Sequence, residues 1–111
     1  MSSSMNYNFQ LSRRFQNEAK RLIKKFPSLV KELKELKTSL IENPFQGIPL
    51  AHNCYKIRIV IASKGKGKSG GARIITNAYV KGKTVYLLTI YDKSEMENIT
   101  DKELLELLKE L

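Results

Sequence analysis

Residues that could act on a phosphodiester gather in the second half of this sequence. Lys56, Arg58, Lys64, Lys66, Lys68, Arg73, Tyr91 and Lys93 supply seven cations and one phenol. An RNA strand can be cut without a metal when its ribose 2′-hydroxyl attacks the adjacent phosphate. The hydroxyl must lose a proton, the crowded phosphorane must be stabilised, and the departing 5′-oxygen must gain a proton. Arginine suits the second task, because its planar fork matches two phosphate oxygens. Lysine or tyrosine can move protons where nearby positive charge lowers its pKa. His52 is the only histidine, so a base-and-acid pair of histidines is excluded. Its place in a connector reads as a solvated loop residue. Asp92, Glu95 and Glu97 are the nearest acids, and adjacent lysines and a helix cap account for them.

The charge is unevenly distributed. The chain has 111 residues and a net charge of +9. Residues 43–91 hold eight Lys/Arg and no acid, whereas residues 92–111 hold three Lys and seven acids. A solubilising excess of charge would explain the total but not the missing acids. A long acid-free segment keeps its positive field without internal neutralisation, as a polyanion-binding surface requires. It also supplies no carboxylates for two-metal phosphoryl chemistry. Cys54 is the single cysteine, which excludes an intramolecular disulfide and a multi-cysteine zinc site. It borders a strand-like run and reads as an inert, partly buried thiol. No apolar run reaches the length of a membrane helix, and the N-terminus has no apolar signal core, so we expect a cytoplasmic protein.

The stretch SKGKGKSGGAR, residues 63–73, holds four glycines and four cations. Gly67-Lys68-Ser69 has the look of the end of a nucleotide-binding loop. The first glycine of that motif would fall at Ala62, and the loop runs into a strand and not a helix. Nucleotide binding is therefore rejected. What remains is a basic loop between two strands, with Lys64, Lys66 and Lys68 as candidate RNA contacts. A solvated hairpin tip is the plainer alternative.

The elements that must position these groups follow from periodicity. Asn6 to Leu11 reads as a short strand. Phe15, Ala19, Leu22, Ile23 and Phe26 recur at helical spacing, and after Pro27-Ser28 so do Leu29, Leu33, Leu36 and Leu40. Residues 45–53 read as a connector. Tyr55, Ile57, Ile59 and Ile61 then alternate with Lys56, Arg58 and Val60, which puts the cations on the opposite sheet face from the isoleucines. Arg73–Val80 and Thr84–Tyr91 read as two further strands joined by a turn at Lys81-Gly82-Lys83. Thr100-Asp101-Lys102-Glu103 is a capping box opening a helix that packs Leu104, Leu108 and Leu111 onto the core. We expect one α+β domain over residues 1–111: a helical hairpin on one face of a small twisted, antiparallel-dominated sheet, with a short C-terminal helix. The other face stays partly open, with Lys56 and Arg58 on it.

Two motifs carry a family resemblance. The run CYKIRIVIASKGKGKSGGARIIT, followed by VYLLTIYDKSEMENIT, resembles the RelE/HigB-type toxins of bacterial type II toxin–antitoxin systems. The resemblance covers residues 54–100 closely and the helical hairpin more loosely. It implies a microbial RNase-like fold and a metal-independent, cofactor-free endoribonuclease that cuts mRNA in the ribosome. It also implies a cognate antitoxin as partner and no membrane or small-molecule cofactor. Carried over by position, Arg73 matches the arginine that stabilises the phosphate in the transition state, and Lys56 and Arg58 match the basic pair on the preceding strand. Lys93 stands where such toxins place a second arginine. Their catalytic tyrosine corresponds to Ile99 here, so Tyr91, the phenol at the strand end, is the candidate substitute. Two competing readings remain at this level: a ParE-like toxin of the same fold that inhibits DNA gyrase, and a non-toxic RNA-binding module, for which stacking aromatics would be expected.

Overall fold

A computed structural model describes residues 7–64, 71–96 and 98–111. The described elements are β1 (Asn8–Leu11), α1 (Arg13–Lys25), α2 (Leu29–Glu42), β2 (Ile48–Pro49), β3 (Cys54–Ile59), β4 (Ala72–Tyr79), β5 (Thr84–Asp92) and α3 (Asp101–Lys109). The five strands form one sheet in the order β1-β5-β4-β3-β2. β1 runs parallel to β5 and the other pairs are antiparallel. The fold is the expected α+β arrangement.

The helices begin and end where local chemistry dictates. The Ser12 hydroxyl accepts from the Phe15 amide and caps α1. Lys24 and Lys25 close that helix at the negative end of its dipole. The α1 and α2 stripes meet the sheet face carrying Ile57, Ile59, Ile74, Val85, Leu87 and Ile90, and Leu22, Leu29 and Leu40 are fully buried against it. Each such leucine contributes about 1.5–3 kcal/mol relative to exposure. This dry layer makes the sheet a rigid platform for whatever its other face carries.

Three local expectations need correction. The connector contains β2, joined to β3 by a two-residue turn at His52 and Asn53, both at positive φ (60° and 59°). Asparagine tolerates that conformation, and the Asn77 amide holds the turn by donating to the His52 carbonyl (3.0 Å). The first long strand ends at Ile59, although Ile61 is still buried. In α3, Leu104 and Leu107 are buried and Leu108 packs beside them, while Leu111 is 52% exposed. The stripe at i, i+3, i+4 closes before the last residue, which lies outside the helix. α3 covers the sheet face opposite the hairpin, together with Cys54, Ile75, Leu88 and Tyr91.

β1 pairs with β5 only as far as Leu87, so the last part of β5 is a sheet edge. Side chains close it. The Ser12 hydroxyl donates to the Leu88 carbonyl (2.9 Å), and one Glu18 carboxylate oxygen accepts from the Thr89 hydroxyl (2.6 Å) and the Ile90 amide (3.2 Å). Blunting an edge in this way removes a template for unwanted strand pairing.

Candidate active site

Strand register builds the site. Arg58 on β3 lies opposite Arg73 on β4, which lies opposite Tyr91 on β5. The three form one row across the sheet, on the face away from the helical hairpin. Adjacent members are about 5 Å apart along the backbone. A bulge in β5 makes this row possible. Ile75 pairs with Thr89 while the next residue, Thr76, pairs with Leu87, so Leu88 is extra. Val85 and Leu87 face the helices, and strict alternation would have sent Tyr91 there too. The extra residue reverses the phase. Ile90 then joins the hairpin core, and Tyr91 joins Leu88 on the opposite face.

Lys56 and Lys93 lie on either side of the row. Together Lys56, Arg58, Arg73, Lys93 and Asn98 line a polar hollow of about 250 Å³. Arg73 is only 4% exposed, while Arg58 is solvent-exposed. The Arg73 guanidinium donates to the Ala72 carbonyl (3.2 Å). Burial first, and then the positive field of Arg58, press the Arg73 pKa below the usual arginine range. Like charges directly opposite across a strand pair are unfavourable. Such a pair is relieved by an anion bound between its members.

The start of β4 is fixed by a glycine. Gly71 has φ of +56°, and a Cβ there would collide with the Ile59 carbonyl oxygen. Its own carbonyl accepts from the Lys93 amide (3.1 Å). Gly71 thus joins the ends of β3 and β5 directly beside Arg73. Lys93 forms no ion pair among the described residues, and Glu95 pairs with Arg21 (3.0 Å).

The other expected residues are placed as follows. Tyr91 belongs to the row, but its ring packs under α3 with Leu104 and Leu107. Its hydroxyl is buried and has no hydrogen-bond partner among the described residues. Burial raises its pKa, against the lowering influence of Arg73. The ring borders a second cleft, between α1 and α3, and not the basic hollow. Lys66, Lys68 and the Lys64 side chain lie outside the described residues. His52 is an exposed turn residue. Cys54 is fully buried, with its thiol pKa raised by desolvation, as an inert thiol should be. Asn98 was not anticipated from sequence. Its only local signal is its place just ahead of the Thr100 cap.

Among the described residues no group of three His, Cys, Asp or Glu could hold a metal ion. The donors around the hollow are ammonium, guanidinium and amide groups, chemistry suited to an anion. No described helix is long and apolar enough to cross a membrane.

The family model of the RelE toxin of the RelE/RelB toxin–antitoxin system matches residues 9–111. The chain belongs to the RelE toxin family. Two solved structures share the fold. One is E. coli toxin RelE, a double mutant in the free state: 17% identity, TM-score 0.61, covering 95% of this chain and 93% of that one. The other is the intact E. coli RelBE toxin–antitoxin complex: 20% identity, TM-score 0.53, covering 76% of this chain and 93% of that one. This RelE-type toxin carries its basic row on the RelE fold.

Proposed function

We propose that this toxin is a ribosome-dependent mRNA endoribonuclease that arrests translation by metal-independent cleavage through the ribose 2′-hydroxyl. The observation that carries the reading is the Arg58–Arg73 pair, opposed in register and flanked by Lys56 and Lys93. Arg73, held by its burial, takes the phosphate oxygens that gain charge in the phosphorane, and Arg58 shares that charge from the exposed side. Lys56 and Lys93 stand on opposite sides of the row, where an attacking and a leaving oxygen would lie. Either amine can donate hydrogen bonds to those oxygens. For Tyr91 to act as the base, α3 must lift from its ring. Lys64, Lys66 and Lys68 are further candidates for phosphate or ribosomal RNA contacts.

Primer extension on an mRNA translated in a purified system tests this reading. Cleavage should require ribosomes and fall roughly 10²-fold or more in Arg73→Ala, the size expected for a lost transition-state contact. A folded wild-type chain that cuts nothing, and instead stalls DNA gyrase, would move the assignment to the gyrase-inhibiting toxins.

We also infer a cognate antitoxin, the type of partner seen on E. coli RelE in the RelBE complex. An open apolar trough of about 640 Å³ runs between β1, α1 and α2, and Lys20, Lys24, Lys34 and Lys37 are among its lining residues. It suits an acidic amphipathic segment. Lys24→Glu with Lys34→Glu should weaken antitoxin binding at least tenfold in titration calorimetry; unchanged affinity would place the antitoxin elsewhere.

A further inference from the structure

β3 ends just past Arg58, and the sequence that follows carries Lys64, Lys66 and Lys68 before β4 begins at Ala72, next to Arg73. Gly71 fixes the far end of that segment. Its near end is fixed by α2. Ile61 is buried, and a short 3₁₀ turn, Ala62–Lys64, comes next. The Ala62 amide donates to the Glu32 carboxylate (2.8 Å), and the Ser63 amide donates to the Ser28 hydroxyl (2.9 Å). The Ser28 amide donates to the Ser63 hydroxyl (3.2 Å), and the two hydroxyl oxygens lie 2.8 Å apart. A carboxylate only accepts, so the Ser28 hydroxyl donates to Glu32 (3.3 Å) and the Ser63 hydroxyl donates to Ser28. Every donor of this group then has an acceptor.

Local helix chemistry does not account for these side chains. Ser28 stands at the N-cap of α2, yet its hydroxyl makes no capping bond there. A capping box would need Glu or Gln at position 31, which is Lys31, so Glu32 lies one residue too late. Both side chains turn instead to residues 30 and 35 positions away. Such bonds at an exposed place compete with water and add little to stability. What they determine is position. Two successive backbone amides are tied to the start of a helix that the fully buried Leu29 anchors on the sheet.

We propose that Ser28 and Glu32 are positioning residues for RNA binding. They hold the root of the basic segment against α2, so that its lysines meet the phosphates of ribosomal RNA. Without the tie, each phosphate contact would carry a larger ordering cost. The effect falls on binding and not on the chemical step, because neither residue lines the hollow. The inference rests on the nuclease reading above. It adds that α2, a helix on the far side of the sheet, takes part in holding the substrate.

The test is cleavage kinetics on mRNA-programmed ribosomes in the purified translation system, at several salt concentrations. In Glu32→Ala and in Ser63→Ala, KM should rise about three- to tenfold, the loss of one or two phosphate contacts, while kcat stays within about twofold of wild type. The slope of log kcat/KM against log salt should become shallower by about one to two. Glu32→Gln keeps an acceptor for the Ala62 amide and should behave as wild type in both respects. Leu22→Ala lowers stability without touching the tie, and per folded molecule it should leave KM and slope unchanged. Unchanged KM and slope in Glu32→Ala and Ser63→Ala would overturn the positioning role and leave the nuclease reading standing. So would a raised KM with an unchanged slope, or the same changes in Leu22→Ala, since lost stability alone would then explain them. No cleavage by folded wild type would overturn both.

Discussion

The two faces of the sheet are built by opposite rules. The hairpin face is continuous and apolar, with Leu22, Leu29, Leu40, Ile74 and Ile90 at or near zero exposure. The other face is divided. α3 covers one part with Leu104 and Leu107, and the remainder carries Arg58, Arg73, Lys56 and Lys93 around a hollow. A single eight-residue strand, β4, serves both, with Ile74 pointing one way and Arg73 the other. The helix face holds the strands in register, and that register is what brings two guanidinium groups together against their mutual repulsion. One face thus supplies the stability that holds the cations of the other in place.

Substitutions on the two faces should separate these roles. Leu22→Ala should cost about 2–5 kcal/mol in urea unfolding, as expected for a buried leucine. Its cleavage per folded molecule should stay near that of wild type. Arg58→Ala should behave in the opposite way. Cleavage should fall at least tenfold, while stability stays level or rises by a few tenths of a kcal/mol as a like-charge pair is removed. A large loss of stability in Arg58→Ala would break the contrast.

Gly71→Ala couples the faces, because its methyl would meet the Ile59 carbonyl and its φ is positive. A loss of about 1–3 kcal/mol is expected, together with reduced cleavage as Arg73 shifts. Wild-type kinetics in the refolded variant would show that the start of β4 tolerates movement.

Tyr91→Phe gives the smallest effect and the sharpest test. Removing a buried hydroxyl without a partner among the described residues should raise stability by up to about 1 kcal/mol at pH 7. Cleavage should fall less than tenfold; a fall as large as that of Arg73→Ala would make Tyr91 the base. The folded pKa of Tyr91 is raised, chiefly by burial. Its neutral form is therefore favoured in the native state. That contribution is fully present below the unfolded tyrosine pKa of about 10 and is lost as pH rises through the folded value. Melting curves from pH 8 to 11 should show wild type losing stability faster than Tyr91→Phe.

Much of this was legible in the sequence. The leucine spacing of α1 and α2, the alternation of β3 and the acid-free run each reflect a local periodicity or a local charge density, and local patterns survive folding because they come from the geometry of one segment. They gave the layers and the separation of Lys56 and Arg58 from the isoleucines, while Arg73 was singled out by the family resemblance. Four features came only with tertiary structure. β2 is two residues long, too short to show a period. α3 has an apolar stripe that does not say which sheet face it covers. The Leu88 bulge sets the side on which Tyr91 falls, and a bulge is defined by the partner strand. Asn98 lines the hollow while its neighbour Ile99 packs into the cluster beneath α3, an arrangement no local pattern encodes. Sequence determined which segments were helix or strand and how much positive charge they carried. Pairing register and long-range packing decided which charges met.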